Sequence, residues 1–338
     1  MAFTHVEIEE HKSQKLTLLF ATLLLLYVAS LAVLAWGAHL FFGLPIESLR
    51  EQGLTLFLIA LGLAILHWAI ASYHLVDRVL AAIGARPLDP EDAYHRRLRN
   101  LIEEVGVATG GRHRVEPYVI STTAMNACAI ADWHGRCAIA VTEGLLARLT
   151  RSQLEAVIGH EAAHIASGDS LANSLVCGLF GLHEEAFKRL SGLFGGRRSA
   201  DLFRGRAGAF LVFILIVLWL TTLAKRLCHL AISRTQEYRA DAVAVRLTRN
   251  PLGLAEALHQ ISKHWRGAGM EGESLSVLFI LDPGLEALSE REGLFADWLS
   301  THPPTDRRIE ALLGMAHLAP PEFARAMAAP RKRPKHLR

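Results

Sequence analysis

Cysteine is scarce in this chain. Its four copies, Cys128, Cys137, Cys177 and Cys228, are spread through 338 residues, and no two form a CxxC pair. That spacing excludes a disulfide framework and fits reduced thiols in a protein that faces the cytosol. An excess of charge is missing too. The 36 Lys and Arg against 33 Asp and Glu leave a formal net charge of +3, which makes no case for nucleic acid as a partner. There is no internal repeat. Charge vanishes altogether from Leu16–Phe42 and from Gly53–Val76. Each stretch exceeds the roughly 20 residues that a helix needs to cross a bilayer. The first is too long for a simple signal peptide and has no small-residue cleavage site.

What is present starts from those two stretches. The link between them, GLPIESLREQ, is short, so they form a transmembrane hairpin. Arg78, Arg86, Arg96, Arg97 and Arg99 follow the second stretch, whereas the link carries Arg50 beside Glu47 and Glu51. Positive charge collects on cytoplasmic flanks, so both ends of the hairpin lie inside. Two later apolar segments are less plain. Ser170–Leu182 is only about 13 residues long, short for a span and equally good as a buried core helix. Ala207–Ala224, about 18 long, can just cross. The chain between them carries Gly pairs and clustered arginines and reads as a flexible basic loop.

The remaining chain alternates short elements. DPEDAYHRRLRNLIEEV, from Asp89, reads as a helix with Pro90 at its start. EPYVIST, ACAIA and RCAIAVT read as strands, the last two joined by the turn DWHG. LTRSQLEAVIGHEAAHIA is the clearest helix, with Thr150 as N-cap and Gln153 three residues on, the pattern of a capping box. Ser233–Arg246 is another helix, ended by Asn250 and Pro251, and LGLAEALHQISKHW is the next.

The chemistry gathers in VIGHEAAHIASGD, Val157 to Asp169. His160 and His164 are four apart on a helix, so both rings can reach one ion. Glu161 stands beside the first, where its carboxylate can act on a water in the site. A catalytic zinc takes three protein ligands and keeps a fourth position open. No HExxHxxGxxH continuation follows, so the third ligand comes from a second helix. Glu237 on Ser233–Arg246 is the leading choice. Asp241, at i+4 on the same face, can accept a ring N–H from a ligating histidine and fix its tautomer. His229 is a rival ligand, and a surface acid is the plainer role for Glu237.

STTAMNACAIA, VTEGLLARLT, VIGHEAAHIASGD, SRTQEYRADAVAVRLT and STHPPTDRRIEAL, in this order and spacing, resemble the HtpX-type integral-membrane zinc metalloproteases, relatives of the CAAX prenyl protease. The resemblance covers nearly the whole chain. It implies that His160, His164 and Glu237 bind Zn2+, that Glu161 is the base, and that Asp241, with Asp169, supports the site. It implies that Asn126 touches the substrate backbone or transition state. In the C-terminal HPP…R motif, His302 is expected to stabilise the oxyanion, while Arg308 either does so or holds the fold together.

The expected fold class is an α-helical membrane protein with a mainly helical, zincin-like catalytic domain carrying a small β-sheet. The expected order is an N-terminal tail (1–15), the transmembrane hairpin (16–76), the first half of the catalytic domain (77–169), two apolar segments around the basic loop 183–206 (170–224), the second half of that domain (225–324), and a basic flexible tail (325–338). One ion touching all three ligands allows zero or two full crossings between them. Arg197, Arg198, Arg204 and Arg206 argue for zero, and the four spans usual in the family argue for two.

The implied activity is a zinc endopeptidase in the bacterial inner membrane, with its catalytic domain facing the cytoplasm. Its partners are the lipid bilayer and polypeptide substrates, above all damaged or misfolded membrane proteins met in quality control. Two other readings remain: a processing protease for one defined, lipidated or precursor substrate, and a non-catalytic scaffold with a structural zinc. Substrate is expected to add a strand to an open edge near Asn126–Ile130. Cys128-Ala129-Ile130 and the ADWHG hairpin depart from the family pattern, as does the long basic loop.

Overall fold

The structure, a computed structural model, describes residues 5–43, 51, 53–111, 114–179, 208, 210, 213–217, 236–264, 278–280 and 303–328. The basic loop 183–206 and the C-terminal basic run lie outside them. In chain order the elements are helices α1 (His5–Phe42), α2 (Gly53–Ser72) and α3 (Leu75–Ala82), strand β1 (Ala85–Pro87), helix α4 (Ala93–Ala108), strands β2 (Val115–Ile120), β3 (Ala127–Ala131) and β4 (Cys137–Thr142), and helices α5 (Glu143–Arg148) and α6 (Arg151–Ala166). Helices α7 (169–179) and α8 (236–248) follow, then α9 (Pro251–His264), α10 (Thr305–Met315) and α11 (Pro320–Ala328). The chain divides into two compact units, one of residues 1–82, 130–136 and 167–232, the other of 83–129, 137–166 and 233–338.

In the first unit, Leu16–Gly37 and Gly53–Ser72 reach mean hydropathies of 2.6 and 2.3, yet only 11% and 28% of these windows is buried. A core helix of a soluble protein would cover such a surface. Leu18, Leu25, Leu40, Leu54, Leu58 and Leu66 are instead bare, as on helices whose solvent is lipid. Along α2 the small residues Ala60, Ala64 and Ala71 are fully buried, and one polar link joins the two helices, Tyr27 Oη to His67 Nδ1 at 2.9 Å.

The uncharged stretch runs to Val76, but the helix stops at Ser72. His74 turns to φ 47°, and the Arg78 guanidinium folds back onto the Ile70 carbonyl at 2.7 Å. Leu75 and Val76 thus open α3, a short helix that buries Leu75, Val76, Val79 and Leu80. Hydropathy alone does not register that corner. The described turns of α7 bury Leu171, Ala172, Leu175, Val176 and Leu179, the behaviour of a core helix.

In the second unit the strands lie in the order β1-β2-β4-β3. β1 runs antiparallel to β2, with Ala85 opposite Ile120. β2 runs parallel to β4, from Val115 opposite Cys137 to Ile120 opposite Thr142. Every residue of β3 and β4 is buried, which is why both read as continuous apolar runs. Helix α4 starts later than Pro90 suggested. Asp92 caps it, its carboxylate accepting from the Tyr94 and His95 amides at 2.7 and 3.1 Å, while Asp89 and Pro90 form the turn before it. Helix α6 has the expected capping box: Thr150 N–H donates to Gln153 Oε1 at 3.0 Å, and Gln153 N–H to Thr150 Oγ1 at 3.4 Å. Asn250 closes α8 and caps α9, accepting from Gly253 N–H at 2.8 Å.

Candidate metal centre

The site grows from the approach of α6 to α8. A Cβ on Gly159 would meet Thr248 Cγ2 at 3.1 Å and Ala244 at 3.7 Å. Ala240 and Ala244 on the facing side of α8 are buried. Small residues on both helices let the backbones come close, and the next position, His160, faces Glu237 and Asp241 from there. A glycine inside a helix costs about 1 kcal/mol against alanine. That cost, one residue before the first histidine, is the sequence signal for this close approach, and the motif alone does not reveal it.

The three expected ligands converge. His160 Nε2 and His164 Nε2 are 3.2 Å apart. The two Glu237 carboxylate oxygens lie 3.5 Å from His160 Nε2 and 3.5 Å from His164 Nε2. Zinc bonds of about 2.0–2.1 Å in tetrahedral geometry put ligand atoms about 3.3 Å from one another. The three contacts bracket that value, the two at 3.5 Å ending on different Glu237 oxygens, and one ligand atom from each residue lies within 4.8 Å of the others, so the donor set can hold one metal ion. His160 and Glu237 are buried, whereas the His164 side chain stays 12% exposed.

Behind the donors stands a second layer. Asp241 Oδ1 lies 2.9 Å from His160 Nδ1, which puts the ring proton on Nδ1 and turns the Nε2 lone pair toward Glu237. Arg308, fully buried, grips Asp241 with Nε to Oδ2 at 2.9 Å and Nη2 to Oδ1 at 2.7 Å. Its Nη1 sits 2.9 Å from Glu237 Oε2 and donates to the Ile280 carbonyl at 3.4 Å. One guanidinium thus orients two carboxylates.

Burial works against charge on both members of this pair, but each holds the other ionised. The Arg308 charge keeps the Asp241 carboxyl below the usual carboxylate range, and Asp241 and Glu237 keep Arg308 above its ordinary value. At His160, burial opposes the imidazolium, yet hydrogen bonds to Asp241 and Glu237 outweigh it and raise the pKa. Glu161 is 2% exposed, and burial pushes its carboxyl up, with Glu237 adding to the effect and the two histidines opposing it.

Of the other expected residues, Asn126 and Asp169 are among the described ones. Asn126 is buried, with Oδ1 accepting from Ala127 N–H at 3.0 Å and its carbonyl bound to the Thr142 amide and hydroxyl, each at 3.0 Å. Asp169 belongs to the other unit and takes a hydrogen bond from Ser167 Oγ. His302 and the rival ligand His229 lie outside the described residues. The edge of β3 is not open along its length. Phe279 pairs antiparallel with Cys128, and Ile280 N–H donates to the Ala127 carbonyl at 3.0 Å. Unpaired strand amides and carbonyls recruit chain, and here they recruit this chain's own.

A family model described as peptidase family M48 matches residues 90–316. The protease HtpX homolog of Thermoanaerobacter pseudethanolicus is 32% identical over 266 residues, 77% of this chain and 85% of that one. The protease HtpX homolog of Caldanaerobacter subterraneus subsp. tengcongensis is 33% identical over 259 residues, 75% and 82% of the two chains. Among solved structures, Ste24p of S. mikatae aligns with a TM-score of 0.42 at 17% identity, over 79% of this chain and 65% of that one. The matched span of the family model contains α6, α8 and α10, the helices that carry the whole donor set and its supports. With that span and relatives of this likeness, the chain belongs to peptidase family M48 and is a metalloprotease.

Proposed function

We propose that the metal is zinc, held by His160, His164 and Glu237, and that the enzyme is an endopeptidase acting on damaged or misfolded membrane proteins. The observation that carries the chemistry is the convergence of His160, His164 and Glu237, with contacts of 3.2, 3.5 and 3.5 Å among their donor groups, while Asp241 steadies His160 and Arg308 steadies Glu237. Zinc bound there would supply a Lewis acid for the scissile carbonyl and make water a competent nucleophile near neutral pH. Glu161 takes the proton of the attacking water and hands it to the leaving amine. With its pKa held above the ordinary value by burial, the Glu161 carboxylate is a stronger base toward that water than an exposed glutamate would be. Asp241 holds the His160 ring through Nδ1, and Arg308 holds Asp241. The substrate class follows from two lipid-facing helices on the same chain and from the family resemblance.

Purified protein is expected to hold about one zinc per chain. His160→Ala, His164→Ala and Glu237→Ala should each lose most of it, and chelation should stop proteolysis until zinc is returned. Full metal content in Glu237→Ala would remove that residue from the ligand set and bring His229 forward. Comparing membranes that carry active or inactive enzyme by proteomics should show membrane proteins accumulating with the inactive form. Accumulation of a single processed precursor instead would favour the processing role.

The site is proposed to face the cytoplasm, because Arg78, Arg86, Arg96, Arg97 and Arg99 follow the second span. A cysteine placed at exposed Ala147, in a chain cleared of its native cysteines, should react with a membrane-impermeant reagent only after cell lysis. Reaction in intact cells reverses the orientation.

A further inference from the structure

The turn between β3 and β4 contributes none of the three metal-donor residues. Its residues, 130–136, belong with the membrane helices rather than with the catalytic unit. At its tip Trp133 is 51% exposed. The ring meets Trp68 of α2 edge-on, with centroids 6.5 Å apart, and Trp68 meets Phe20 of α1 at 5.4 Å. Phe20 stands at the start of the apolar stretch of α1 and Trp68 in the last turns of α2, so both mark the same end of the transmembrane hairpin. Trp133 continues this aromatic line outward from the lipid-facing surface.

Charged groups lie close by in sequence and in contact. Arg136 Nη1 pairs with Asp77 Oδ1 at 2.7 Å, just past the corner that ends α2. Arg78 turns back onto the α2 carbonyls. The turn itself keeps few backbone groups for water. The Asp132 carboxylate accepts from the His134 and Arg136 amides at 2.9 and 3.0 Å, and the Asp132 amide donates to the Arg136 carbonyl at 3.0 Å. The Trp133 indole N–H donates to His134 Nε2 at 3.1 Å. Gly135 supplies the φ of 87° that closes the turn.

An exposed tryptophan by itself signifies little. A tryptophan continuous with a lipid-facing surface, at the level where charged side chains begin, occupies the position of an interfacial aromatic belt. We propose that the turn Asp132–Arg136 is a membrane-interface anchor, with Trp133 seated beside Trp68 at the boundary between headgroups and acyl chains. The anchor fixes the depth of the turn at the bilayer surface. It is independent of the identity of the metal and of the substrate.

The test is tryptophan fluorescence of the full-length protein in phosphatidylcholine and phosphatidylglycerol vesicles. Wild type and Trp133→Phe are compared with acyl chains brominated near the carbonyl end, with acyl chains brominated near the methyl end, and with aqueous iodide. The emission lost in Trp133→Phe should be the part quenched by the shallow bromines and spared by iodide. If the lost emission is quenched by iodide instead, Trp133 lies in water and the anchor does not exist. If it is spared by both, protein covers the ring and the surface is a protein contact. Should Trp133→Phe disturb folding, Trp133→Cys carrying an environment-sensitive fluorophore, in a chain without its native cysteines, gives a second readout. A blue-shifted, lipid-quenched probe supports the anchor, and a water-like spectrum in vesicles overturns it.

Discussion

Glu161→Gln is expected to lower peptidase turnover by about 100- to 10,000-fold, the range of a lost general base, while zinc content stays at the wild-type level. Glutamine keeps the size of the side chain and its place in a pocket where Glu161 is 2% exposed. It cannot accept the proton of the attacking water. Nor does the change touch the donor triangle, because His160, His164 and Glu237 supply its corners. Two measurements separate base from ligand: metal analysis of the purified variant and its rate on an unstructured peptide such as casein. Loss of zinc along with activity would place Glu161 in the ligand set. Wild-type turnover would assign the proton transfer to another group.

The periodic features of this chain are legible in its sequence. Two histidines four apart predict a shared face, and Glu237 with Asp241, also four apart, predicts the face that meets it. The structure brings both pairs together. The capping box at Thr150 and the strand ACAIA are equally local, and each appears where the pattern puts it. What the sequence leaves open is set by contacts between distant segments. The corner at Tyr73 and His74 interrupts an uncharged run without adding a charge, and the Arg78 guanidinium marks it. The edge of β3 is covered by Phe279, about 150 residues away along the chain, beyond the reach of pattern arguments. Arg308 is the clearest case. Its HPP…R motif allows either an oxyanion contact or a role in the fold, and only the packing of α10 shows which carboxylates it grips.

Arg308→Met is accordingly expected to destabilise the protein by about 3–5 kcal/mol, the cost of leaving a buried charge without its partner, and to weaken zinc binding as well. Asp241 is left in a pocket where its side chain is 3% exposed, with the Glu237 carboxylate on the same helix face and no guanidinium between them. Methionine fills much of the volume, so the loss is electrostatic rather than a cavity. Arg308→Lys should recover little. An ammonium cannot reproduce the Nε and Nη2 fork on Asp241 while also reaching Glu237. Asp241→Asn separates the two tasks of the pair. It should reduce zinc affinity or turnover by about 10- to 100-fold without unfolding the chain, because His160 Nδ1 loses its carboxylate. Combining Arg308→Met with Asp241→Asn removes the stranded charge, so the double variant should be more stable than Arg308→Met alone yet no better at holding zinc. Denaturant midpoints in detergent and zinc titrations of the four variants read this directly. A double variant whose destabilisation equals the sum of the two single variants' would show that the two side chains are not energetically coupled, and that the buried arginine serves the fold through the Ile280 carbonyl instead.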